Sequence, residues 1–168
     1  VENFRSIREE QTLSMVKNSS NEMPENYTDP NAFKVPDLLN TAVIYGANAS
    51  GKSSLIRALL EMRNIIEDSF NKKINEEIAV EPFLFDTAWK DEPTTFCADF
   101  VANFNSENEE KNPVRVEYGF SATKFLIHEE WLSVYPNGRE QAWFHRIYNK
   151  ETDSYVWHKE SNFFKGSK

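Results

Sequence analysis

At 168 residues, with 39% hydrophobic and 14% aromatic content, the chain has enough apolar material for one core, which excludes disorder throughout. Nineteen basic against twenty-seven acidic residues leave a formal net charge of −8, which argues against direct nucleic-acid binding or an anionic-membrane surface built from this segment. No run approaches the ~18 apolar residues of a membrane span, the N-terminus lacks the pattern of a signal peptide, and the lone Cys97 cannot form an internal disulfide, so a cytoplasmic location is expected.

In chain order, Val1 opens without a methionine in what reads as mid-strand, so residues are expected to precede it. Residues 2 to 16 read as a strand, a turn and a second strand around Thr12-Leu13-Ser14-Met15. Residues 17 to 36 are rich in Asn, Ser and Pro, which favour turns over ladders, and predict a surface loop. Thr41-Ala42-Val43-Ile44-Tyr45 is a short apolar, β-branched run that predicts a buried strand. Ser53 to Phe70 predicts a helix, with Leu55, Leu59, Met62, Ile66 and Phe70 along one face. Lys72 to Glu77 reads as a solvated connection, and from Glu81 onward the period changes to two. Phe96, Ala98, Phe100, Ala102 and Phe104 alternate with mainly polar partners, as do Val114, Val116, Tyr118 and Phe120, with a loop at Ser106 to Pro113 between them. Further strands are expected at Leu126 to Tyr135, at Gln141 to Tyr148 beyond a Pro136-Asn137-Gly138 turn, and at Tyr155 to Trp157.

Between the predicted strand and helix lies Gly46-Ala47-Asn48-Ala49-Ser50-Gly51-Lys52-Ser53-Ser54, which fits the phosphate-cradling loop G-x-x-x-x-G-K-[ST]. The glycines let successive backbone N–H groups turn inward at a β-phosphate and feed the positive end of a helix. The Lys52 ammonium is suited to spanning the β- and γ-phosphates, and the Ser53 hydroxyl to ligating Mg²⁺. Strand, glycine-rich loop and helix is the order this chemistry requires, so the segment points to a nucleoside triphosphate with Mg²⁺. The expected fold is α/β, a P-loop core over residues 1–75 carrying an antiparallel β-subdomain over 76–168.

Val1-Glu2-Asn3-Phe4-Arg5-Ser6-Ile7, then Ile44 to Leu55 through the loop, then Glu81-Pro82-Phe83 and the aromatic β-rich stretch, resemble the ABC/SMC-like AAA-type ATPases of prokaryotic anti-phage defence, the abortive-infection and retron-associated group. The resemblance covers nearly the whole chain. It implies that Arg5 and Ser6 lie against the nucleotide and that Asn48 approaches the γ-phosphate. Relatives often carry glycine where this chain has Ala49, a change expected to leave binding unharmed. It also implies ATP and Mg²⁺ as cofactors, two heads joined through bridging ATP as a homodimer or higher oligomer, and a nuclease or toxin as effector. The Asp and Glu that such ATPases use for metal and water, together with the signature loop, are not visible, so the chain reads as a first lobe whose catalytic residues lie beyond Lys168. The rival readings are a nucleotide-sensing scaffold without turnover and another P-loop enzyme, a kinase or GTPase; no N-K-x-D-type guanine-reading motif is present.

The remaining constellations read as structural. Asp86 ends an apolar run but is followed by Thr87, and it is read as a strand end rather than a metal ligand. His128, His145 and His158 lack zinc-site spacing, and Glu129 and Glu130 should point to opposite faces of one strand, one exposed and one paired. Trp131, Trp143, Phe144, Tyr148 and Trp157 are expected in the core of a sheet, Cys97 as a small buried hydrophobe, and Gln141 beside a turn rather than at a nucleotide.

Overall fold

The structure, a computed structural model, describes residues 1–20, 22–69, 76–105 and 111–160. Its regular elements are β1 (Tyr27–Thr28), β2 (Leu38–Leu39), α1 (Lys52–Ser69), β3 (Thr94–Asn105), β4 (Lys111–Thr123), β5 (Leu126–Tyr135), β6 (Gln141–Asn149) and β7 (Ser154–Glu160). The last five form one antiparallel meander in the order β3-β4-β5-β6-β7. Period-two alternation drives this sheet, and the turns supply its reversals: Asn137 and Gly138 take φ values of 55° and 68° between β5 and β6.

One face of the sheet packs against α1. Ala58, Met62 and Ile65 of the helix share a core with Phe96, Phe120 and Ala122 of the strands, and Phe4 and Val80 close it. The Phe96 ring lies 5.5 Å from Phe4 and 5.4 Å from Phe120, so the N-terminal segment, β3 and β4 are locked through one aromatic row. Residues from both expected parts, 1–75 and 76–168, contribute to this single core. Farther along the same face, Val114, Val116 and Val134 form a second cluster, covered by Phe104, Leu132 and Trp143. Trp143 falls at the irregularity between the Leu132–Phe144 and Ser133–Ala142 pairs.

The opposite face is polar, with the aromatic rings of Trp131 and Tyr135 set on it. Trp131 lies flat across Gly119, where an added Cβ would sit 2.2 Å from Cζ2 of the indole, and its Nε1 donates to Glu117 at 3.0 Å. Tyr135 donates to the other Glu117 oxygen at 3.1 Å. Gly119→Ala therefore has to move the indole off the sheet, and should lower stability by about 1–3 kcal/mol, the scale of an overpacked site. A denaturant titration checks this, and an unchanged midpoint would show that Trp131 does not depend on the missing Cβ.

Several expectations need correction. The run 41–45 is not a strand: no ladder partner for it exists among the described residues, and Val43 and Tyr45 are 66% and 88% exposed. The helix buries Ser54, Ala58, Met62 and Ile65, a stripe rotated from the expected one, with small Ala58 among the residues packed in the sheet core; Leu59 and Ile66 stay exposed, and Phe70 lies outside the described residues. Residues 12–15 form no strand, and 83–86 form none either: the segment 83–93 is an irregular, turn-rich arm. Asp86 is thus a turn residue whose Oδ1 accepts from the Ala88 N–H at 3.0 Å. The loop at 17–36 carries β1, which pairs with β2, and the expected loop 106–113 is shorter, since β4 begins at Lys111; residues 106–110 lie outside the description. Cys97 lies exposed on the polar face rather than buried, and desolvation with neighbouring Glu117 pushes its thiol up to about 11.

The expected opposition of Glu129 and Glu130 is seen, but both are paired. Glu129 meets His145 at 2.7 Å on one face, while Glu130 takes the Arg146 guanidinium at 2.6 Å and the Tyr118 hydroxyl at 2.8 Å on the other. That hydroxyl's pKa is raised by burial and by the Glu130 charge. His145 and His158 stack with ring centroids 5.6 Å apart. Gln141 pairs with Val134 in the sheet.

Candidate nucleotide site

Two walls build the site, and the first is a hairpin at the N-terminus. Phe4 and Ile7 exchange both backbone hydrogen bonds, at 2.7 and 2.8 Å, and the Asn3 N–H donates to the Arg8 carbonyl at 3.0 Å, which leaves Arg5 and Ser6 as a two-residue tip. Arg5 takes φ 52°, in the left-handed region that a non-glycine residue adopts only when its surroundings hold it there. Those surroundings are explicit: Phe4 is fully buried, and Asn3 below it is a buried clamp. The Asn3 side-chain amide donates to the carbonyls of Trp89 at 2.9 Å, Glu92 at 2.8 Å and Pro93 at 3.3 Å, while its oxygen accepts from the Phe83 N–H at 2.9 Å. One side chain thus fixes the hairpin to the arm 83–93.

The second wall is the glycine-rich loop. Ala49 and Gly51 both have positive φ, 63° and 89°, which curl the loop into the start of α1 at Lys52. Ala49 therefore holds a conformation that costs an alanine roughly 1 kcal/mol and a glycine almost nothing, so its methyl is not without consequence. The first N–H groups of α1 have no acceptor within the helix and carry its positive dipole end. Lys52 folds back over the loop: its Nζ donates to the Gly46 carbonyl at 2.8 Å, the Ala47 carbonyl at 2.5 Å and Ser50 Oγ at 3.4 Å. Gly51 is favoured by its left-handed φ of 89°, and both glycines sit close against the loop's hydroxyls: a Cβ on Gly46 would lie 2.7 Å from Ser50 Oγ and one on Gly51 3.3 Å from Ser6 Oγ.

The walls meet where Ser6 Oγ and Ser54 Oγ share a hydrogen bond of 2.7 Å. Between them opens a cleft of about 440 Å³, lined by Ser6, Arg8 and Glu9 on one side and by Tyr45, Ser50 and Lys52 on the other. Of the residues expected at the nucleotide, Ser6, Ser50, Gly51 and Lys52 line this cleft, Gly46 and Ala47 reach it through Lys52, and Asn48, Ala49 and Ser53 are exposed around the loop. Ser54 is buried under Ser6. Arg5 is not among the lining residues; its guanidinium pairs with Glu81 at 2.8 Å and its N–H donates to the Glu81 carbonyl. Arg8, Glu9 and Tyr45 carried no signal in the sequence, because only the hairpin register reveals which side chains face the loop. The residues present suit a phosphate chain: a curled backbone with glycine at its tightest points, an ammonium folded over the loop, and hydroxyls at Ser50 and Ser53.

The profile of the family described as "AAA domain, putative AbiEii toxin, Type IV TA system" matches residues 42–168, about three-quarters of the chain. The chain belongs to this AAA family. It is accordingly an AAA-type, nucleotide-binding ATPase domain, and the matched region takes in the loop, α1 and the whole β3–β7 sheet while leaving out the hairpin wall. No curated protein and no solved structure matches the chain significantly. Among the described residues no group of His, Cys, Asp and Glu is arranged to hold a metal ion, and no helix is long and apolar enough to cross a membrane.

Proposed function

We propose that residues 1–168 are the N-terminal lobe of an ABC/SMC-like ATPase head, in which bound ATP joins two heads and hydrolysis releases them, gating a nuclease or toxin in anti-phage defence. The observation that carries this reading is the curled Gly46–Ser54 loop with Lys52 folded into it, opposed by Ser6 at the tip of the hairpin. ATP would place its phosphates in the loop against Lys52 and the amides that open α1. Mg²⁺, held with help from the Ser53 hydroxyl, would neutralise phosphate charge.

A second lobe is supported by what this chain leaves open. Val43, Tyr45, Ile56, Leu60, Leu84 and Phe85 are all between 48% and 89% exposed, so α1 and the segments beside it carry apolar side chains in solvent beyond the stripe packed on the sheet. The water-activating carboxylate belongs on that second lobe.

Steady-state phosphate release by the intact protein, measured across a dilution series, tests the reading. The rate per molecule should rise with protein concentration, and residues 1–168 alone should be silent, because preorganised charge around the γ-phosphate supplies most of the rate in phosphoryl transfer. Robust turnover by this lobe alone, linear in concentration and dependent on Asp86, would overturn it.

A further inference from the structure

The cleft holds a second cation that the phosphate loop does not account for. Arg8 follows the hairpin tip by two residues and lines the same cleft as Lys52, Ser50 and Gly51. Its position is set by the backbone, since its carbonyl accepts the Asn3 N–H at 3.0 Å and Ile7 beside it is buried. Among the described residues its guanidinium pairs with carboxylates: Glu9 at 2.7 Å, and Asp86 at 3.9 Å. Those two carboxylates are respectively 71% and 38% exposed, so the ion pairs lie in solvent, where such pairs contribute little and exchange readily. Arg5, three residues earlier at the hairpin tip, is committed to Glu81 outside the cleft.

Resting on the nucleotide-site reading above, we propose that Arg8 is a binding residue for the polyphosphate chain, and that Glu9 and Asp86 compete with the phosphates for it. A guanidinium matches phosphate oxygens in a two-pronged geometry that an exposed, singly bonded carboxylate does not repeat, so the exchange favours the ligand. The cleft then meets the phosphates from both walls, with Lys52 from the loop and Arg8 from the hairpin. The acids act with the opposite sign: removing their charge frees the guanidinium and also removes repulsion from an anionic ligand.

The test is titration calorimetry of the full-length protein with Mg-ATP and, separately, with Mg-tripolyphosphate, which has no base or sugar. Arg8→Ala should weaken both ligands by about tenfold, the scale of one charge-assisted contact, with Arg8→Lys intermediate. Glu9→Gln and the double variant Glu9→Gln/Asp86→Asn should tighten both by about two- to fivefold, which a merely structural role for these side chains would not produce. Lys52→Ala, run alongside, separates the two readings. If Lys52→Ala abolishes binding while Arg8→Ala leaves it unchanged, the inference about Arg8 fails and the nucleotide site stands; if Lys52→Ala changes nothing, the nucleotide site itself fails. A loss in Arg8→Ala confined to ATP and absent with tripolyphosphate would move Arg8 from the phosphates to the nucleoside and overturn the proposal.

Discussion

Replacing Lys52 by alanine should weaken Mg-ATP binding by about 3 kcal/mol, more than a hundredfold, because it removes a charged donor and its field from the phosphate cradle together. The substitution has a second effect. The Lys52 ammonium spans Gly46, Ala47 and Ser50, so its loss also releases the loop from the shape these bonds hold. The fold itself should be nearly indifferent, since the loop is exposed and contributes nothing to the Phe4–Phe96–Phe120 core. Calorimetric titration against a thermal melt of the same sample distinguishes these effects. Full affinity in the variant would remove the phosphate-loop assignment.

The largest effect on stability is expected at Asn3. Asn3→Asp keeps the size of the side chain and deletes both of its N–H donors, leaving the carbonyls of Trp89, Glu92 and Pro93 facing a carboxylate in a fully buried position. Each unpaired buried group costs about 1–3 kcal/mol, so a loss of about 4 kcal/mol at pH 7 is expected, beyond that of Asn3→Ala. The sign of its pH dependence follows. Burial among carbonyls raises the carboxyl's folded-state pKa above the ordinary ~3.9, so the variant should be destabilised as pH rises past that value and recover part of the loss at lower pH, where the acid can donate one bond again. Urea unfolding at a series of pH values reads this directly. A variant as stable as the parent at pH 7 would mean that Asn3 does not clamp the arm.

How far the sequence carries depends on where each signal resides. The strands at 94–160 were legible in number and order, β5 and β6 to within one residue and β4 and β7 three residues short at an end, since alternation such as Phe96-Ala98-Phe100 is a local property and Asn137-Gly138 announces its own turn. The loop was legible because phosphate chemistry restricts residue types at fixed spacing. The helix face was misread by one position, as Leu55 and Leu59 outrank Ser54 and Ala58 in hydrophobicity although close packing on a sheet selects the smaller pair. The run 41–45 has the composition of a buried strand without its environment here, a conflict that composition alone cannot register. Asn3 and Arg8 were illegible for a different reason. Their partners are the arm 83–93 and the cleft, and contacts made across some forty to ninety residues leave no trace in local spacing.

The hairpin has a mechanical consequence. Its stem is pinned by Phe4 in the sheet core, by the Glu2–Thr95 bridge to β3 and by the Asn3 clamp, so that wall of the cleft has little compliance. The facing wall, residues 41–50, is exposed and tied mainly by one lysine side chain. A ligand entering between a stiff jaw and a soft one deforms the soft one. Any displacement that nucleotide causes should therefore appear in the loop and at the head of α1, with the hairpin serving as the fixed reference against which that movement is measured.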